Sequence, residues 1–292
     1  MISYLRRIIP EKYIKRYKQI QANKLKQKVS KLPLLTEEKF RAILSHTLNI
    51  QTGDNIFVHS SVGMLNLDFS PVRVLEILLE IIGDNGTLVM PTYPKLSAYR
   101  FLQSGEVFNV RRTPTYTGLL NEYARRHKNA VRSLHPTKSV VAIGPLAETL
   151  TNEHHLSPYP YDYVSPYYKI INHNFKVIGI GVKTHFLSAV HAVDDTLRES
   201  YPVAPYHEKL FEAPCIDYSG NSVIVKTYAH NLNKMKFNLP EFFKRYCTPD
   251  ICFDIEIDDM NFFKADALKL YNRLTDLSKE NITIYKKKYY KK

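Results

Sequence analysis

The strongest constraint on this chain is the alternation of apolar runs and capped helices between residues 55 and 91. Asn55-Ile56-Phe57-Val58 is too short for a helix and rich in β-formers, and it stops at His59-Ser60-Ser61. Ser70-Pro71 then supplies a helix cap and a proline at the first helical position, opening a helix to Ile82. Gly83-Asp84-Asn85-Gly86 turns the chain into a second strand, Thr87-Leu88-Val89-Met90, ended by Pro91. Strand, helix and strand on short links make a βαβ unit, whose crossover is right-handed and whose two strands are parallel.

The alternation continues along the chain. Thr36 with Glu37 and Glu38 caps a helix ending near Leu48, and Gly118 to Arg126 and Ser188 to Glu199 read as helices. Ser139 to Ile143 and Phe175 to Ile180 read as strands, and Leu268 to Leu277 as a later helix. Cys215 to Tyr218 and Ser222 to Tyr228 flank Ser219-Gly220-Asn221 as a hairpin. There is no fixed-period repeat and no Pro-rich or Ser-rich linker. The expectation is an α/β fold: a central mixed, mostly parallel sheet flanked by helices, with a side hairpin.

Charge divides the chain into three parts. The total is +13, yet residues 1–28 carry nine basic residues against Glu11 alone, and residues 286–292 add five lysines, so the rest is neutral. The expected organisation is a basic amphipathic extension over 1–34, a single α/β domain over 35–280 and a basic tail over 281–292. Leu5, Ile8, Ile9, Tyr13, Tyr17 and Ile20 fall at helical spacing in the extension, which suits a helix packed on the body, a peripheral contact with anionic lipid or a nucleic-acid arm.

Several function classes lose their support. The longest apolar run, Val74 to Ile82, is broken by Glu76 and Glu80, so no spanning helix is expected, and residues 1–7 lack the apolar core of a secretory signal. A cytoplasmic protein is expected, with its basic ends at the inner face of the membrane as an additional contact. Cys215, Cys247 and Cys252 form no CxxC pair, which points to free thiols rather than a disulfide framework or structural zinc. There is no GxSxG elbow and no Walker lysine, and Gly179-Ile180-Gly181 lacks the third glycine of a dinucleotide loop.

In an open α/β sheet ligands gather at the carboxyl ends of the strands. The first strand delivers His59, Ser60 and Ser61 there, and the second delivers Thr92 and Tyr93. Further on, His191 and Asp194 stand three apart, which on a helix places imidazole and carboxylate on one face. That spacing suits an acid–base couple, half of a metal site or a plain ion pair. A second metal-type cluster is missing, because His154 and His155 are adjacent and point apart, so no metal is expected.

Taken in order, the motifs resemble those of a known family. Gly53-Asp54 with Phe57-Val58-His59-Ser60-Ser61, Gly86-Thr87-Leu88-Val89-Met90-Pro91-Thr92-Tyr93, Thr113-Pro114 with Gly118 and Glu122, Val131 to Pro136, Ser139 to Pro145, Ser165-Pro166 and Ser188 to Asp194 look like the acetyl-CoA-dependent aminoglycoside 3-N-acetyltransferase (antibiotic N-acetyltransferase) family. The resemblance covers roughly residues 36 to 275. It departs at Asp194, where the family usually has Glu, and at Lys138, where it usually has His.

The resemblance implies an acyl-CoA-dependent N-acetyltransferase with acetyl-CoA as co-substrate and direct attack by the acceptor amine. It implies His191 as general base, Glu122 orienting it and Ser188 facing the thioester oxygen. Asp194, Tyr93 and His59 would meet the acceptor, while Ser60, Ser61, Thr92 and Arg132 would hold CoA. An alkylammonium must lose a proton before it can attack a thioester, and imidazole suits that task near neutral pH. With basic ends, the expected acceptor is a nucleotide- or lipid-linked amino sugar of surface polysaccharide assembly. The alternatives are an aminoglycoside, as in resistance, and a non-catalytic protein whose basic ends bind lipid or nucleic acid. Expected partners are the thioester, the acceptor, an anionic membrane surface and a second copy of the chain, with no nucleic acid.

Overall fold

The computed structural model describes residues 11–291. In chain order the elements are α1 (Glu11–Val29), α2 (Glu37–Ala42, continued by a π turn to Thr47), β1 (Asn55–Ser60), α3 (Pro71–Ile82), β2 (Thr87–Pro91), α4 (Ala98–Ser104), β3 (Phe108–Asn109), α5 (Leu119–Arg126), β4 (Val131–Arg132) and β5 (Val140–Ile143). They continue as α6 (Ala147–Thr151), α7 (Pro166–Asn172), β6 (Lys176–Ile180), α8 (His191–Leu197), β7 (Tyr206–Ile216), β8 (Ser222–His230), α9 (Leu239–Tyr246), β9 (Cys252–Ile257), β10 (Met260–Asp266) and α10 (Ala267–Lys279).

The expected βαβ unit is present, and its caps work as the sequence dictates. Ser70 accepts from the Arg73 amide ahead of Pro71, and Thr36 accepts from the Lys39 amide. The main sheet has seven strands in the order β4-β5-β2-β1-β6-β10-β9. β2, β1 and β6 are parallel at its heart, and the pairs beyond them are antiparallel. β7 and β8 form the expected hairpin, longer than the sequence indicated, and join β3 in a separate small sheet. The β9–β10 hairpin carries no glycine at its turn: Asp258 and Asp259 take φ of 50° and 59° themselves.

Period-two alternation divides the core by face. Ile56 and Val58 of β1 pack with α2, α3 and α5, whereas Phe57 packs on the other face with Tyr161, Tyr167, Val193 and Phe263. His59 shares the Phe57 face, and its ring lies 5.1 Å from that of Phe57. The chemistry described below sits on this second face.

The two end segments fare differently: the N-terminal extension is helical over Glu11–Val29, as its spacing indicated. Residues 1–10 of the basic extension lie outside the described residues, and α1 leads into Leu35, which pairs with Leu67. Residues 281–291 are not a free tail. Ile284 and Tyr285 are buried in the main core, and Tyr290 bridges to Val203. Among the described residues no helix is long and apolar enough to cross a membrane. All three cysteines are free, with Cys215 and Cys252 buried.

Candidate active site

The site begins where β1 and β6 end side by side. His59 pairs in register with Gly179, and the absent side chain of Gly179 makes room for the Phe263 ring, which a Cβ there would meet at 2.0 Å. Gly181 turns the chain with φ +71°, and a Cβ would lie 2.4 Å from the Ser61 carbonyl oxygen. His59 is thus sealed among rings, and burial pushes it down to about 3, so it stays a neutral imidazole. Its Nε2 lies 3.5 Å from the Ser188 hydroxyl, and that hydroxyl also faces Tyr93 and Tyr167. The Tyr93 and Tyr167 hydroxyls are 2.8 Å apart. Tyr161 stacks beside Tyr167 and carries the array to His191, 5.2 Å ring to ring.

His191 opens α8 and Asp194 follows one turn later, on the face that the spacing predicted. Nδ1 of His191 and Oδ2 of Asp194 are 2.9 Å apart, and the pair is buried. A carboxylate oxygen accepts, so the contact places the proton on Nδ1 and leaves Nε2 as the other ring nitrogen, the one able to take a proton. Nε2 makes no hydrogen bond among the described residues. A carboxylate behind Nδ1 fixes the tautomer and stabilises the imidazolium that forms when Nε2 takes a proton.

Groups distant in sequence complete the surroundings. The Tyr285 hydroxyl donates to Oδ2 of Asp194 and lies 3.2 Å from Nδ1 of His191. His230 of β8 lies 4.7 Å from His191 ring to ring, stacks on Tyr206, and is driven well down by burial. Asp195 accepts from the Tyr161 amide and the Tyr206 hydroxyl, both at 2.8 Å, and burial raises it well above the usual carboxylate range. Lys138 lies over the Tyr93 ring at 4.7 Å, and burial lowers it to about 8 although Asp195 opposes. Beside Asp194 and Asp195 opens a pocket of about 320 Å³ walled by Tyr159, Tyr206, Tyr228 and Arg198.

Oδ1 of Asp194, Oδ1 of Asp195 and Nε2 of His230 are buried without a hydrogen-bond partner. One donor atom each of His191, Asp194 and His230 fall within 4.8 Å of one another. Neutral imidazoles and a carboxylate suit zinc. The His191–Asp194 contact is nevertheless complete as a hydrogen bond, which favours proton transfer as the work of this pair.

Other sequence-derived assignments land elsewhere. The Glu122 carboxylate binds Arg125, Arg126 and the Thr115 amide and makes no hydrogen bond to His191, whose acid partner is Asp194 instead. Arg132 is buried in the interior: its guanidinium donates to the carbonyls of Thr92 and Thr113 and to the Thr92 and Ser139 hydroxyls, and it stacks on Phe108. It therefore holds protein carbonyls where a CoA phosphate was expected, and Thr92, fully buried beside it, is spent in the same network. Ser60 is tied by its hydroxyl to Asn121 at 3.0 Å, and Asn121 donates to the Pro91 carbonyl. Ser61 is half-buried, and its amide donates to the Ile180 carbonyl.

Fold and site together define an α/β protein with a buried imidazole–carboxylate couple beside an aromatic, partly acidic pocket. A sequence model of aminoglycoside 3-N-acetyltransferases matches residues 57–263. The chain belongs to that family. It is 30% identical over 160 residues to aminoglycoside N(3)-acetyltransferase III of Serratia marcescens, covering 50% of this chain and 59% of that protein. It is also 25% identical over 159 residues to aminoglycoside N(3)-acetyltransferase IX of Micromonospora chalcea, covering 49% and 56%. The chain thus spans a little over half the length of the curated relatives it matches. Among solved structures, aminoglycoside acetyltransferase AAC(3)-Xa superposes with a TM-score of 0.73 at 18% identity over 91% of this chain and 99% of that one. AAC-IIIb with bound CoASH gives 0.69 at 20% identity over 86% and 98%. These superpositions establish the shared fold.

Proposed function

We propose that the protein moves an acetyl group from acetyl-CoA to an amine of an aminoglycoside, with His191 as general base. The carrying observation is the couple itself: Nδ1 is held by Asp194 at 2.9 Å while Nε2 has no hydrogen-bond partner among the described residues. Nε2 takes a proton from the acceptor ammonium, and the freed nitrogen attacks the thioester carbon. The new C–N bond forms as the C–S bond breaks, and the second proton shed by the attacking nitrogen balances the one taken up by the departing thiolate as it becomes free CoA. The Ser188 hydroxyl, beside His59 and the tyrosine pair, is the donor offered to the carbonyl oxygen as charge builds there.

The acceptor class follows from the relatives together with the pocket. The named relatives act on aminoglycosides, which is a better guide than the basic ends that suggested an amino sugar of surface polysaccharides. Glu199 and Glu208 line the pocket and offer charge to a polycation beside the Arg198 and Lys291 cations, and Tyr159, Tyr206 and Tyr228 offer aromatic surface to sugars. The test is release of CoA thiol from acetyl-CoA with aminoglycosides and, separately, nucleotide-linked amino sugars, for wild type and His191→Ala. Turnover with aminoglycosides that falls by at least about a hundred-fold in the variant is expected of a general base. Turnover confined to the nucleotide sugars would overturn the acceptor, and equal rates in the variant would overturn the base.

A further inference from the structure

The region that the family model matches stops at residue 263, yet a hydroxyl from beyond it reaches the centre of the site. After α10 the chain reverses at Asn281, which has φ +57°, and runs back along the body. Two anchors hold this return. Upstream, the Thr283 hydroxyl accepts from the Tyr285 amide and pairs with the Tyr290 hydroxyl at 2.9 Å. Downstream, the Lys291 amide donates to the Pro202 carbonyl, and Lys291 Nζ donates to the carbonyls of Arg198 and Glu199 directly after α8. Tyr285, between the anchors, is 4% exposed and packs edge-on to Phe237 and Tyr201.

We propose that Tyr285 is a positioning residue for the His191–Asp194 couple, carried to it by the return of the chain after α10. The idea rests on the acetyl-transfer reading for its kinetic consequences alone. Oδ2 of Asp194 receives both the imidazole and the phenol, which fixes the carboxylate's rotation and leaves Oδ1 without a hydrogen-bond donor among the described residues. Burial and the charge of Asp194 raise the Tyr285 phenol well above its ordinary value, so it stays a donor throughout the working range. A phenol on that oxygen also disperses the charge that stabilises the imidazolium, which keeps Nε2 from being protonated too early. The groups facing His191 are Asp194 from its own helix, His230 from β8, Tyr161 from the loop before α7 and Tyr285. Tyr201 also reaches the Asp194 carboxylate, and Lys138 and Asp195 stand one layer out. Of the four, Tyr285 alone donates to the carboxylate from outside α8.

The experiment compares wild type, Tyr285→Phe and Tyr289→Phe in the full chain. Tyr289, on the same return segment, donates to the Asn233 carbonyl and does not touch the couple, so its variant reports loosening of the segment alone. Two readouts are taken: pH titration of the His191 ring nitrogens by 15N NMR, assigned by their loss in His191→Ala, and the pH profile of kcat and KM. Removing the phenol should move the His191 midpoint and the acid limb of kcat/KM upward by about half a pH unit. It should also lower kcat by about ten-fold with KM for acetyl-CoA changed less than about two-fold. Tyr289→Phe should move neither. A His191 titration in Tyr285→Phe that superimposes on wild type overturns the proposal, and so does an equal shift in Tyr289→Phe. The NMR titration does not depend on turnover. A shift seen in a protein that releases no CoA would refute acetyl transfer and leave the positioning role standing.

Discussion

Glu122→Gln separates two roles for the glutamate of α5. Its carboxylate joins the Thr115 amide to Arg125 and Arg126, clamping the 113–118 loop onto the helix. Burial raises its pKa, but these partners prevail and hold it at about 2, against an ordinary 4.5. That difference sets an upper bound of about 3.4 kcal/mol at neutral pH, at about 1.36 kcal/mol per pH unit. Arg126 is 69% exposed and so screened by solvent, which reduces the expected loss to about 2 kcal/mol. The pKa is depressed in the folded state, so the contribution is fully present above about 4.5 and lost as pH falls toward about 2. Urea unfolding of wild type and variant at pH 7 and pH 3 reads it directly: a gap of about 2 kcal/mol at pH 7 should shrink by more than half at pH 3. Turnover of the folded variant should stay within about three-fold of wild type, because no hydrogen bond links Glu122 to His191. A loss beyond about a hundred-fold with stability unchanged at both pH values would refute the reasoning and return Glu122 to the reaction.

Two further substitutions probe the sheet and its neighbourhood. Arg132→Met strips the donors from the Thr92 and Thr113 carbonyls and should cost about 3 kcal/mol in urea unfolding while leaving the Kd for CoA by calorimetry unchanged. A ten-fold weaker Kd at full stability would mean that this guanidinium meets the ligand after all. Gly179→Ala drives a methyl into the Phe263 ring and should cost about 3 kcal/mol, and the displaced ring also disturbs His59. A melting temperature equal to wild type would show that the strands part without strain.

Local signals carried most of the sheet's centre and half of the site. β1, α3 and β2 were legible because branched apolar runs, Ser70-Pro71 and the Gly83–Gly86 turn all point one way. The β9–β10 hairpin was not, since two aspartates in left-handed conformation replace the usual glycine. His191 with Asp194 could be read from a helical spacing of three. His230, Tyr285 and Tyr206 could not, because each arrives from another element and only tertiary packing brings it there. Arg132 shows why a lone cation is ambiguous in sequence: it suggests an anionic partner, but a buried guanidinium can be satisfied by backbone carbonyls. Glu122 was placed by order of motifs, and order carries no distance.

The return segment also bears on when the protein becomes competent. Synthesis proceeds from the first residue onward, so Asp194 leaves the ribosome 91 residues ahead of the phenol that latches it. Until then every strand through β10 can be made, while Oδ2 of Asp194 lacks its Tyr285 donor. If Tyr285 positions the couple as proposed, the couple is complete only once the chain beyond α10 has been made and has docked.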